Sequence, residues 1–89
     1  MININFSVVV PVFNKGGSIE RMLASVLNQQ YMPSEIIIVN DGSTDNSIQL
    51  INNCNHIFRG IVKVIDQPNL GVSAARNTGI SACSYNYIA

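Results

Sequence analysis

The sequence predicts an α/β fold, an open and mainly parallel sheet with helices on both faces. Two observations carry that expectation. Short, β-branched, nearly continuous apolar runs alternate with segments whose apolar residues recur at helical spacing. Each apolar run also ends in a polar, turn-forming stretch, as expected where a strand passes into a crossover helix.

The first run, Ile4 to Val12, reads as a strand buried on both faces. Gly16-Gly17-Ser18 breaks it, with Ser18 placed to cap a helix. Ile19, Met22, Leu23, Val26 and Leu27 then form one apolar stripe, until Tyr31-Met32-Pro33 ends the helix. Glu35 to Val39 reads as a second buried strand. Asp41-Gly42-Ser43 turns the chain, and Ser43 is placed to cap a helix with Asp45 in its first turn and Ile48, Ile51 and Cys54 facing inward. A third strand from about Gly60 to Ile65 leads through a loop with Pro68 into a helix over Gly71 to Cys83. Val72, Ala75, Gly79, Ala82 and Cys83 share a narrow face of small side chains on that helix, which suits close packing on a sheet. Tyr85 to Ala89 looks like the start of a fourth strand.

The 89 residues suffice for one small domain, and a hydrophobic content of 47% permits a packed core. Only 11% of the residues are charged, so part of the surface is expected to be covered by more chain or by a partner. The formal net charge is 0 and no stretch gathers Lys and Arg, so nucleic acid is not an expected partner. A single nucleotide, held by backbone N–H groups and a few side chains, is compatible with this balance. Cys54 and Cys83 have neither metal nor redox spacing and are expected to be reduced and buried; His56 stands alone. The start lacks a basic leader and no apolar run is long enough for a bilayer, which makes the cytoplasm the default location.

In open parallel sheets, ligands bind beyond the carboxyl ends of the strands. The stretches Pro11 to Asn14, Asn40 to Ser43 and Asp66 to Gly71 must therefore emerge together. Asp41 can accept a hydrogen bond from a ribose hydroxyl or a base N–H, or it can make an Asx turn or cap the following helix. Arg76, about one turn into the third helix, can fold back to a phosphate or a base carbonyl, or it can be a solvated arginine. Phe13 can stack on a base or close the core. Asn14 and Asn69 can cap turns or donate to a ligand. Ser7, Ser47 and Ser73 have no local partner suited to nucleophilic catalysis. There is no phosphate-binding G-x-x-x-x-G-K-[ST], no dinucleotide-binding G-x-G-x-x-G, no H-E-x-x-H and no D-x-D.

Together, F-S-V-V-V-P-V-F-N (Phe6 to Asn14), S-V-L-N-Q-Q-Y, I-I-I-V-N-D-G-S-T-D-N-S (Ile36 to Ser47) and Q-P-N-L-G-V-S-A-A-R-N-T-G-I (Gln67 to Ile80) resemble the opening of the family-two, inverting glycosyltransferases of the GT-A fold, in order and at family-like spacing. The resemblance implies that residues 1–89 are one partial domain, the Rossmann-like, nucleotide-binding half of such an enzyme. It implies a nucleotide diphosphate sugar as donor, usually a uridine one, and transfer with inversion to an acceptor hydroxyl on a polysaccharide, lipid or protein glycan. Pro11 and Phe13 would line the base pocket with Asn14 beside them. Asp41 would meet the base or ribose, and Asn69 and Arg76 the nucleotide or its diphosphate.

Departures from the family pattern set limits. Asn40 stands where the family has the first Asp of D-D-G-S, and Gln30 where Ser or Thr is commoner. In the family, a strand beginning like Tyr85 to Ala89 leads into the D-x-D that holds a divalent metal, Mg or Mn, and the catalytic base follows later; neither lies in these residues. The fragment alone is therefore expected to be inactive, and no catalytic or metal-binding residue is assigned to it. An incomplete fourth strand would leave the edge near Ile4 to Val12 bare, so self-association through that edge is expected. The alternative is a non-catalytic nucleotide-binding module or a self-assembling structural one.

Overall fold

The computed structural model describes residues 5–27, 33–54, 61–85 and 87–88. Strands β1 (Phe6–Val12), β2 (Glu35–Asp41), β3 (Val62–Gln67) and β4 (Tyr87–Ile88) alternate with helices α1 (Ile19–Leu27), α2 (Ser47–Cys54) and α3 (Val72–Ala82). The sheet order is β3-β2-β1-β4 and every pairing is parallel. This is the expected open sheet with helices on both faces.

The central strand explains how one apolar run serves two layers. Side chains alternate across a strand. Ile36 and Ile38 therefore join Val12, Ile19, Ile51 and Val62 in one buried cluster, backed by Met22 and Ile48. Ile37 and Val39 point the other way, onto Ala75, with Val9, Ile65 and Cys83 around them. The first cluster contains the residues of α1 and α2, and the second those of α3. Gly79 lets α3 lie close, because a Cβ there would run into Cγ1 of Val9 and approach Cγ2 of Val39 at 3.2 Å.

Several expectations need correction. Only Ser7 and Val12 of β1 are buried; its other side chains are half-buried, because β4 pairs only with Phe6 and Ser7. Ile4 lies outside the described residues. Ser18 precedes α1 as expected and its carbonyl accepts from Met22 N (3.0 Å), but its hydroxyl donates back to Lys15 O (3.4 Å) and caps no helical N–H. Ile19 and Met22 face the core, whereas the side chains of Leu23, Val26 and Leu27 are outside the described set, as are residues 28–32. Ser43 caps no helix: α2 starts at Ser47, and Asp45 precedes it rather than occupying its first turn. The structural reason is that both residues are bonded to the loop after β1, as described below. Ile48 and Ile51 do turn inward; the side chain of Cys54 and all of His56 are not described.

On α3 the buried stripe is Ala75 and Gly79, with Cys83 half-buried, while Val72 and Ala82 are exposed. Val72 lies in the first turn of α3, beside the strand ends, and faces a cleft instead of the core. Cys83 is a free thiol that donates to Gly79 O (3.2 Å). No described helix is long and apolar enough to cross a membrane.

Glu35 lies at the amino end of β2, away from the loops that follow the strands. Its carboxylate accepts from Ser7 Oγ (2.6 Å), Ser84 N (2.5 Å) and Lys63 Nζ (3.2 Å). It thereby ties β1, β3 and the segment before β4 to the central strand.

Candidate functional site

The loops that follow β1, β2 and β3 meet at the carboxyl edge of the sheet, and polar bonds across long sequence separations hold them there. Asn14 adopts φ +52°, a left-handed conformation that Asn tolerates better than most residues. From that position its Oδ1 accepts from Thr44 N (2.8 Å) and Asp45 N (3.3 Å). Its own N–H donates to Ser43 Oγ (3.0 Å), which donates on to Val12 O (3.5 Å). Lys15 N donates to Ser47 Oγ (3.0 Å) and Gly16 N to Asp45 Oδ2 (3.0 Å). The other oxygen of Asp45 accepts from Ser47 N (3.0 Å) and from the Ser47 hydroxyl, and the hydroxyl is the main cause that holds this carboxyl below its ordinary range. Asp45 and Ser43 are thus spent on joining two loops.

Asp41 joins β2 to the third loop. Its Oδ1 accepts from Leu70 N (2.8 Å) and Gln67 Nε2 (2.9 Å), and its Oδ2 from Gly71 N (3.0 Å). The Leu70 N–H, foremost among these donors, keeps the carboxyl ionised below the usual range, although burial opposes it. A carboxylate has about four acceptor positions, so Oδ2 keeps roughly one for another donor. Thr78 Oγ1 donates to Gln67 Oε1 (2.7 Å) and so fixes the amide that reaches Asp41. Gly42 needs to be glycine: its φ is +75°, and a Cβ would lie 2.8 Å from Asn69 N. Asn40 donates from Nδ2 to Asp66 Oδ1 (3.0 Å) and accepts from Ser43 N (3.0 Å). An aspartate could not make the first of these bonds, and this gives a physical reason for the departure at position 40.

Between the loops lies an open cleft of about 430 Å³, within the size range of small-molecule sites. Of the residues expected at a site, Pro11, Phe13, Asp41 and Asn69 line it. Phe13, 44% exposed, offers an accessible ring. Asn14 does not line the cleft; its side chain is occupied with Thr44 and Asp45. Arg76 is exposed on α3 and is also not among the lining residues. Val12 and Gly71, from the first and third post-strand stretches, also line the cleft, together with Lys15 and Val72, which the sequence pattern does not place at a site. A signal for Lys15 was available in the sequence, because it directly follows the first post-strand stretch and is a cation.

Comparison with known proteins agrees with this architecture. The model of the family "Glycosyl transferase family 2" matches residues 7–89. Glycosyltransferase GlyA of Streptococcus pneumoniae serotype 4 is 39% identical over 88 residues, which are 99% of this chain and 12% of that protein. The structure of S. aureus TarS 1-349 in complex with UDP-GlcNAc superimposes with a TM-score of 0.83 at 27% identity, covering 96% of this chain and 25% of that one. The mannosyltransferase PcManGT from Pyrobaculum calidifontis, in complex with GDP-Man and Mn2+, shares the fold at a TM-score of 0.81 and 22% identity, over 90% of this chain and 24% of that one. The chain thus spans an eighth to a quarter of the length of these relatives. With the family model covering all but its first six residues, the chain belongs to glycosyl transferase family 2.

Proposed function

We propose that this chain is the donor-binding half of a glycosyltransferase that takes a nucleotide diphosphate sugar, a UDP-sugar, and transfers the sugar to an acceptor hydroxyl with inversion. The observation that carries this is the cleft in which Pro11, Phe13, Asp41 and Asn69 come together from three separate loops. An apolar wall with an accessible aromatic ring suits a planar base. The free acceptor position on Asp41 suits a base N–H or a ribose hydroxyl, and the Asn69 amide suits either a hydroxyl or a phosphate oxygen. Asn14 acts through the loop it holds. Arg76, exposed on α3 and not among the residues lining the cleft, would reach a phosphate or a base carbonyl. TarS, the neighbour with UDP-GlcNAc bound, supports a uridine donor.

In an inverting transfer the acceptor oxygen attacks the sugar's anomeric carbon, the bond to the diphosphate oxygen breaks, and the acceptor proton passes to a base. Asp41 is poorly suited as that base, since three donors already hold its carboxylate ionised. This supports the view that these residues alone bind donor without transferring sugar. A divalent cation, Mg2+ or Mn2+, belongs to the proposed activity. Among the described residues no three His, Cys, Asp or Glu side chains come together, so these residues do not form its site.

Self-association through the β1 edge is part of the same proposal. Beyond Ser7, that side of β1 pairs with no strand among the described residues. A monodisperse monomer in light scattering at millimolar concentration would count against it.

The donor site is tested by titrating the chain with UDP, with and without Mn2+, while following backbone NMR shifts, and by repeating this with Asp41→Ala. Saturable shifts in the three loops, lost in the variant and insensitive to metal, are expected. Absence of shifts in a folded wild-type chain would refute a donor site formed by these residues.

A further inference from the structure

Building on the donor-site function above, we propose that Lys15 recognises the phosphate groups of the ligand and makes the cleft prefer a nucleoside diphosphate over a bare nucleoside.

The charge inventory points to it. The chain has five Lys and Arg residues. Lys63 is paired with Glu35 at the opposite end of the sheet, Arg21 and Arg76 are exposed on helices without lining the cleft, and Arg59 lies outside the described residues. Lys15 lines the cleft, and among the described residues it forms no ion pair. A diphosphate brings at least two negative charges, and an anion in a cleft without a cation loses hydration without compensation.

The backbone that carries Lys15 is fixed. Its N–H donates to Ser47 Oγ (3.0 Å), and its carbonyl accepts from Ser18 N and Ile19 N (both 2.9 Å). A side chain rooted at such a point loses less freedom when it meets a ligand than one on a loose loop. The other charged group of the cleft, Asp41, is a carboxylate whose three internal donors favour its ionised form. It repels phosphate and favours donors, so base or ribose and phosphate are sorted between Asp41 and Lys15. Lys15 thereby determines which class of ligand is held.

The test compares uridine, UMP and UDP in the presence of EDTA, with affinities read from NMR shifts of the cleft amides. Wild type, Lys15→Met, Lys15→Gln and Lys15→Arg are titrated at low and high salt. The wild type is expected to bind UDP roughly 10-fold tighter than uridine, with the preference falling as salt rises. Lys15→Met and Lys15→Gln should bind uridine as the wild type does and UDP no more tightly than uridine, while Lys15→Arg keeps the preference. All the backbone contacts survive in these variants, so each is expected to fold, and the dispersion of its spectrum checks this. If both neutral variants retain the wild-type preference for UDP, phosphate is recognised elsewhere and the role of Lys15 is refuted, with the donor site intact. If the wild type binds neither uridine nor UDP, the donor site itself fails and the role of Lys15 with it.

Discussion

Replacing Glu35 with Gln should remove one measurable part of the acid sensitivity of this fold while leaving the cleft untouched, Asp41 and Asp45 keeping theirs. The carboxyl of Glu35 is pulled from an ordinary 4.5 down to about 2, first by the Ser7 hydroxyl, then by the Ser84 N–H against an opposing effect of burial, and last by Lys63. A carboxylate whose folded-state pKa is depressed stabilises the fold fully above its unfolded pKa, and this is lost as pH falls through the folded value. The window is therefore about pH 4.5 down to pH 2. At about 1.4 kcal/mol per unit, the shift sets a ceiling of about 3 kcal/mol. The Lys63 side chain is 58% exposed, so its small contribution is screened, and pH 3 lies within the window rather than below it; about 1–2 kcal/mol is the expectation between pH 6 and pH 3.

Urea unfolding followed by circular dichroism at pH 6 and pH 3 measures this directly. The wild type should lose about 1–2 kcal/mol more than Glu35→Gln between the two pH values. Glu35→Gln should be the less stable protein at pH 6, because a neutral amide accepts from Ser7 and Ser84 more weakly and loses the ion pair. Affinity for UDP should be unchanged, since Glu35 is at the far end of β2 from the cleft. Equal losses of stability in both proteins over this range would refute the reasoning, by showing that the carboxylate is not the group whose protonation loosens the sheet.

Two further outcomes test the loop architecture. Asn14→Ala should destabilise by roughly 2–3 kcal/mol, combining two lost bonds to backbone N–H groups with a residue that tolerates positive φ less well than Asn. Asn14→Gly, which relieves only the backbone cost, should still speed amide exchange at Thr44 and Asp45; unchanged protection there would show that Asn14 does not join the loops. Asn40→Asp restores the family residue but sets a second carboxylate against Asp66. Its stability deficit should be larger at pH 7 than at pH 4, by less than about 1 kcal/mol at so exposed a position. Equal deficits at the two values would mean that the two carboxylates do not sense each other.

Much of the architecture is legible in the residue pattern. Ile36 to Val39 are apolar without interruption because both faces of β2 are covered, and the alternation of such runs with helical stripes leads to the parallel sheet that the structure has. The common edge at which the loops emerge follows from that topology alone. The residues of N-D-G-S-T-D-N-S could be singled out in the same way, since polar turn formers at a strand end must bond to something.

What they bond to was decided by the tertiary structure. Asn14 reaches Thr44 and Asp45, and Asp41 reaches Leu70 and Gly71, across separations of about thirty residues. Periodicity describes the surroundings of one element at a time, whereas these bonds depend on the register of β1 against β2 and of β2 against β3. The start of α2 at Ser47 has the same cause, because Ser43 and Asp45 are bound to the neighbouring loop and the helix begins only beyond them. The place of Lys15 in the cleft and of Arg76 outside it was likewise settled by the packing. Sequence pattern determines which residues are apolar or turn-forming, and so which layers exist; the direction of a polar side chain is set by neighbours that only the assembled sheet brings near.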